Sequence, residues 1–151
     1  MNWEDCKNAF HDEMLLRDIY VQDITTREWG VFLSFLKCST YNVVYKHDGE
    51  VLPLPTRISD EFDDTEHSPF LSIDIGGTVL HCYFFSDVEI EVDLVAREIK
   101  SQGELDEILE FMRSLGKHLV RDVILTEESM AEEIWFKYLV EDDQIRFTSL
   151  F

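Results

Sequence analysis

The chain has 151 residues, 45% of them hydrophobic, and 32 acidic against 13 basic side chains leave a formal charge of −19. That size and apolar content suit one globular domain that buries most of its surface. The charge argues against nucleic acid or an anionic membrane as a direct partner, because phosphate binding depends on clustered Lys and Arg, and it favours a basic protein instead. The N-terminus has no cationic segment followed by an apolar run, and nowhere do about 18 uninterrupted apolar residues occur, so the expectation is a soluble cytoplasmic protein. Cys6, Cys38 and Cys82 are odd in number and set in apolar surroundings, which predicts buried reduced thiols rather than disulfides.

Asn2 can cap a helix in which Trp3, Cys6, Phe10 and Met14 recur at helical spacing. Arg17 to Ile24 is rich in β formers, with Ile19 and Val21 on one face and Tyr20 and Gln22 on the other, and reads as the first strand. Thr25-x-x-Glu28 is a capping box opening a second helix with a Trp29, Phe32, Leu33, Leu36 stripe that ends near Ser39. Sheet on both sides of that helix suggests a crossover joining Ile19 to Val43 in parallel, with an antiparallel path around the helix as the alternative. Asp48-Gly49 predicts a tight hairpin pairing Lys46 with Val51 and Tyr45 with Leu52, and Pro53 and Pro55 confine its second strand to an edge. The run holding Asp60, Glu61, Asp63, Asp64 and Glu66 reads as a solvated loop, since it lacks the central glycine and alternating oxygen ligands of an EF-hand.

Phe70 to Leu94 reads as three consecutive antiparallel strands. Gly76-Gly77 suits a two-residue turn with positive φ at both positions, which pairs Ile75 with Thr78, Ile73 with Leu80 and Leu71 with Cys82. On the alternate face Asp74 then meets Val79, Ser72 meets His81 and Phe70 meets Tyr83. A three-residue loop at Phe85-Ser86-Asp87 keeps apolar residues together by pairing Phe84 with Val88, Cys82 with Ile90 and Leu80 with Val92. Glu89, Glu91 and Asp93 are left on the outer face.

Ser101-x-x-Glu104 opens a helix whose face is Leu105, Ile108, Leu109, Met112 and Leu115, with Gly116 as its stop and Glu104, Asp106, Glu107 and Glu110 on a solvated side. His118 to Thr126 returns as a strand. Glu127 to Glu133 suggests one helical turn, Ile134 to Val140 an extended run, and Glu141-Asp142-Asp143 a turn into Ile145 to Phe147. The pattern is α+β: a single domain, mainly an antiparallel meander sheet with amphipathic helices packed on one face.

Three kinds of chemistry are suggested by residues on these elements. Ser72, His81 and Glu91 fall in one cross-strand row and are the residue types of a hydrolase triad, but a mid-strand serine has its amide committed to the ladder and no G-x-S-x-G occurs. Cys6, Cys38, His47, His67, Cys82 and His118 are scattered without a metal-site spacing, so no metal or cofactor is expected. Gly76-Gly77 is not followed by GK[ST], so it reads as a turn rather than a phosphate loop.

Recognition remains. Phe70 and Tyr83, with Asp74, His81, Glu89, Glu91 and Asp93, form an aromatic and carboxylate face suited to a Lys- or Arg-rich surface. The leading expectation is a non-catalytic interaction protein that holds or inhibits a basic partner, as immunity proteins do with nuclease toxins, although no family motif is matched. The alternative is a small enzyme or ligand-binding domain with a pocket between sheet and helices. A homodimer through the acidic face would be self-repulsive.

Overall fold

The structure is a computed structural model and describes residues 1–11, 15–56, 62, 66 and 68–149. In chain order these form α1 (Trp3–Cys6), a 3-10 turn (Lys7–Phe10), β1 (Leu16–Val21), α2 (Thr26–Cys38), β2 (Asn42–His47), β3 (Glu50–Leu52), β4 (Phe70–Asp74), β5 (Val79–Tyr83) and β6 (Ile90–Val95). A second 3-10 turn (Ala96–Glu98), α3 (Gln102–Leu119), β7 (Val123–Glu127), β8 (Met130–Leu139) and β9 (Gln144–Phe147) complete it. The fold is α+β. Nine strands make one sheet in the order β3-β2-β4-β5-β6-β1-β7-β8-β9, and each neighbouring pair is antiparallel.

The local signals act where the residues place them. Asn2 Oδ1 accepts the Glu4 N–H at 3.2 Å, but α1 tightens after one turn into 3-10, which buries Ala9 and Phe10. Met14, expected to continue that helix, lies outside the described residues, as do Asp60, Glu61, Asp63 and Asp64 of the acidic run. Thr25 Oγ1 accepts the Glu28 N–H at 3.4 Å to open α2, and the Ser39 hydroxyl donates to the Leu36 carbonyl at 2.6 Å to close it. The Asp48-Gly49 hairpin has the expected pairs, Lys46 with Val51 and Tyr45 with Leu52, and β3 is an edge strand.

Strand order corrects the expected crossover. The successive antiparallel pairings do leave β1 and β2 pointing the same way, but β4, β5 and β6 stand between them. Burial explains the placement: Arg17 through Val21 are all buried, as a central strand requires, whereas β2 is buried fully only at Tyr45. β1 therefore pairs with β6 and β7.

The β4–β5 register is the expected one, residue for residue. Its turn needs less than two left-handed residues, however: Gly76 alone has positive φ, at 144°. The β5–β6 register is displaced by two, since His81 pairs with Asp93 and Cys82 with Val92. The connection is longer than three residues because other elements hold it. Phe84 packs on Trp29 with ring centroids 5.6 Å apart, the Trp29 indole donates to the Ser86 carbonyl at 3.1 Å, and the Ile24 N–H donates to the Val88 carbonyl at 2.9 Å. A shift of two preserves parity, so Leu71, Ile73, Leu80, Cys82, Ile90 and Val92 are all buried, as expected.

Those rows join one cluster with Trp29, Phe32 and Leu36 of α2 and Leu105, Ile108, Met112 and Leu115 of α3. Gly116 does not stop α3. It lies inside the helix, where a Cβ would sit 2.4 Å from the Tyr138 ring, and the helix ends three residues later at Leu119, capped by Val120, which is left-handed with φ 54°. Ser101 hydrogen-bonds the Glu104 carboxylate but accepts no helix amide. The helical turn expected over Glu127 to Glu133 is instead the tip of the β7–β8 hairpin, with Ser129 at φ 58°. A register break between Leu125 and Thr126 lets adjacent Trp135 and Phe136 both be buried. Cys6 and Cys82 are buried free thiols, but Cys38 at the end of α2 is exposed, contrary to the expectation. Among the described residues no helix is long and apolar enough to cross a membrane.

Candidate functional site: an aromatic and carboxylate sheet face

On the face of β4, β5 and β6 opposite the buried rows, alternation presents Phe70, Ser72 and Asp74, then Val79, His81 and Tyr83, then Glu91, Asp93 and Val95. Phe70 and Tyr83, cross-strand partners, stack at 5.7 Å with 25° between planes. Phe85, just past β5, continues the stack on Tyr83 at 5.4 Å and 21°. The stripe is open to solvent: Tyr83 is 38% and Phe85 70% exposed. At its β2 edge the Lys46 ammonium lies 6.0 Å over the Phe70 ring. The sequence reasoning found Phe70 and Tyr83 by parity and missed Phe85 and Lys46.

The carboxylates lie on the other side of the stripe. The register that pairs His81 with Asp93 sets Glu91, two residues back, toward Tyr83, and Glu89 precedes it in the connection. Glu91 faces Tyr20 of β1 rather than His81, and Asp93 faces both His81 and Asp18. Asp18 is the residue that sequence reasoning missed most completely, although an acid in the middle of the apolar run Leu16 to Val21 was a visible signal. It is only 3% exposed, and its Oδ2 accepts the Ser129 N–H at 2.6 Å and the Tyr20 hydroxyl at 3.1 Å. Asp74, by contrast, does not join the cluster: its Oδ1 accepts the Gly76 N–H at 3.0 Å and serves the turn.

Packing carboxylates on neighbouring strands raises their proton affinity. Glu91 is pushed up to about 7 by burial and by the nearby charges of Asp18, Glu89 and Asp93. Asp18 is raised chiefly by burial, against the hydrogen bonds from Ser129 and Tyr20. Asp93 is raised by burial, and His81, with Nδ1 3.6 Å from Asp93 Oδ1, pulls the other way. The Tyr20 phenol is held neutral by burial and by the surrounding acids.

The triad row is corrected in the same stroke. His81 meets Asp93, not Glu91, and no hydrogen bond joins Ser72 to His81 among the described residues. Ser72 sits mid-strand between β2 and β5, where its backbone belongs to the ladders and supplies no oxyanion donors. No group of three or more His, Cys, Asp or Glu among the described residues is arranged to hold a metal ion. A cavity of about 370 Å³ beyond β1 and β7 is lined by Tyr20, Ile124, Arg121 and Lys137 among others. Its cations are already engaged: Arg121 forks onto Glu28 at 2.8 and 3.0 Å, and Lys137 lies 3.4 Å from Asp122.

Compared with known proteins, the chain matches no family model, no curated protein and no solved structure.

Proposed function

We propose that this chain is a non-catalytic binding protein that holds or inhibits a basic protein through the β4–β6 face. The observation that carries the reading is the Phe70–Tyr83–Phe85 stack, with Tyr83 and Phe85 exposed, edged by Glu89, Glu91 and Asp93 on a chain of charge −19. Exposed aromatic anchors beside carboxylates offer a partner both apolar area and charge complementarity. On this reading α2 and α3 cover the buried rows, and the alternate row is left for the partner. A protein is favoured over nucleic acid or an anionic membrane because the same carboxylates repel phosphate.

The experiment measures binding to a panel of small basic proteins at low and high salt, with wild type and two charge-reversed variants. Glu89→Lys/Glu91→Lys should weaken binding and flatten its salt dependence, whereas Glu132→Lys/Glu133→Lys, on exposed positions of β8, should change it little. Equal losses in both variants would show an undirected response to net charge and overturn the proposed face.

A further inference from the structure

The geometry points to an arginine-bearing segment as the partner's contribution, its guanidinium laid on Phe85 at the open end of the Phe70–Tyr83–Phe85 stack; this rests on the docking face proposed above. The chain itself shows that the stripe takes cations. Lys46, the cross-strand partner of Phe70, holds its ammonium 6.0 Å from that ring's centroid. Among the described residues the next two rings have no such cation, and they are the two most open to solvent.

Ring geometry selects the kind of cation. Successive planes differ by 25° and 21° at centroid distances of 5.7 and 5.4 Å, so the three rings overlap as an offset stack whose last member, Phe85, is 70% exposed. A guanidinium is planar and weakly hydrated, and it extends such a stack by lying on the open ring with its N–H fork still directed outward. An ammonium is a compact, strongly hydrated point charge that gains less from stacking on a ring face. The fork also has acceptors beside it. Glu91 lies across from Tyr83 with Glu89 two residues before it, the charges acting on Glu91 are the acids Asp18, Glu89 and Asp93, and His81 is engaged with Asp93. A guanidinium there supplies the positive charge that the crowded carboxylates lack, and its fork suits carboxylate oxygens. A second copy of this chain is the poorer occupant, because two acidic faces repel.

The test uses two fluorescent peptides, an Arg–Ser repeat and the matching Lys–Ser repeat, titrated by anisotropy at low salt. Wild type should favour the arginine peptide about fivefold, the size of one exposed cation–π contact. Tyr83→Ala/Phe85→Ala should bind both peptides equally, and Lys46→Met should tighten the arginine peptide by uncovering Phe70 and removing a repulsive charge. Equal affinities for wild type, with both lost in Glu89→Lys/Glu91→Lys, overturn the arginine inference and leave the docking face standing. A preference that survives removal of both rings overturns the stacking geometry. No binding of either peptide overturns the arginine inference and the docking face together.

Discussion

Replacing Glu91 with Gln tests whether carboxylate crowding at the β1–β6 boundary is real. The carboxyl's proton affinity rises from an ordinary value of 4.5 to about 7, through burial first and then the charges of Asp18, Glu89 and Asp93. A displacement of that size corresponds to about 3 kcal/mol against the ionised form. Because Glu91 is half-buried and keeps part of its hydration, about half of that, ~1.5 kcal/mol, is a fairer expectation. The folded state holds the proton more tightly than the unfolded chain, so the stability linked to this group is complete below about pH 4.5 and is lost as pH rises through about 7. Gln is neutral at every pH and keeps the shape. At pH 8 the variant should therefore melt higher than wild type by about 3–6 °C, given about 2–4 °C per kcal/mol for a chain of this size. At pH 4 the two should melt together within about 1 °C. Thermal unfolding followed by circular dichroism at both pH values decides it. An equal shift at the two pH values, or a less stable variant at pH 8, would refute the crowding argument.

Gly116→Ala sets two effects against each other: helix propensity alone predicts a gain of about 1 kcal/mol, whereas a Cβ 2.4 Å from the Tyr138 ring and 2.9 Å from the Arg121 carbonyl predicts a loss. Overpacking should win, with a net cost of about 2 kcal/mol seen as a lower denaturation midpoint; a raised midpoint would show that β8 yields easily. Iodoacetamide under native conditions should add one adduct by mass spectrometry, at exposed Cys38, with Cys6 and Cys82 modified only after unfolding. Asp143→Asn should loosen the β8–β9 turn, because this carboxylate, held down to about 2, meets Arg113 at 2.9 Å, Lys117 at 3.2 Å and the Tyr138 hydroxyl at 3.1 Å. Its contribution is present above the ordinary value of 3.8 and lost as pH falls toward 2, so amide exchange at residues 139–144 should speed up in the variant at pH 6 and match wild type near pH 2.

The sequence by itself determined what nearest neighbours along the chain decide. Gly76-Gly77 and Asp48-Gly49 each set a hairpin register, because a two-residue turn leaves one way to pair its strands. The apolar stripes of α2 and α3 were legible because a helix repeats its buried face every three or four residues. Parity even assigned the correct face to Ile90, Val92, Glu91 and Asp93 while misjudging their partners, since a slip of two leaves every side chain on its side.

Only the tertiary structure decided the rest. Trp29 and Ile24, distant in sequence, draw out the β5–β6 connection and thereby give His81 to Asp93. Gly116 reads as a stop until the Tyr138 ring is seen against it. The candidate site divides along the same line. Phe70 and Tyr83 come from one hairpin and were visible in it, whereas Asp18 and Tyr20 reach Glu91 and Asp93 only because β1 is inserted between β6 and β7. No local pattern encodes that insertion; it follows from burying β1 on both faces at the middle of the sheet.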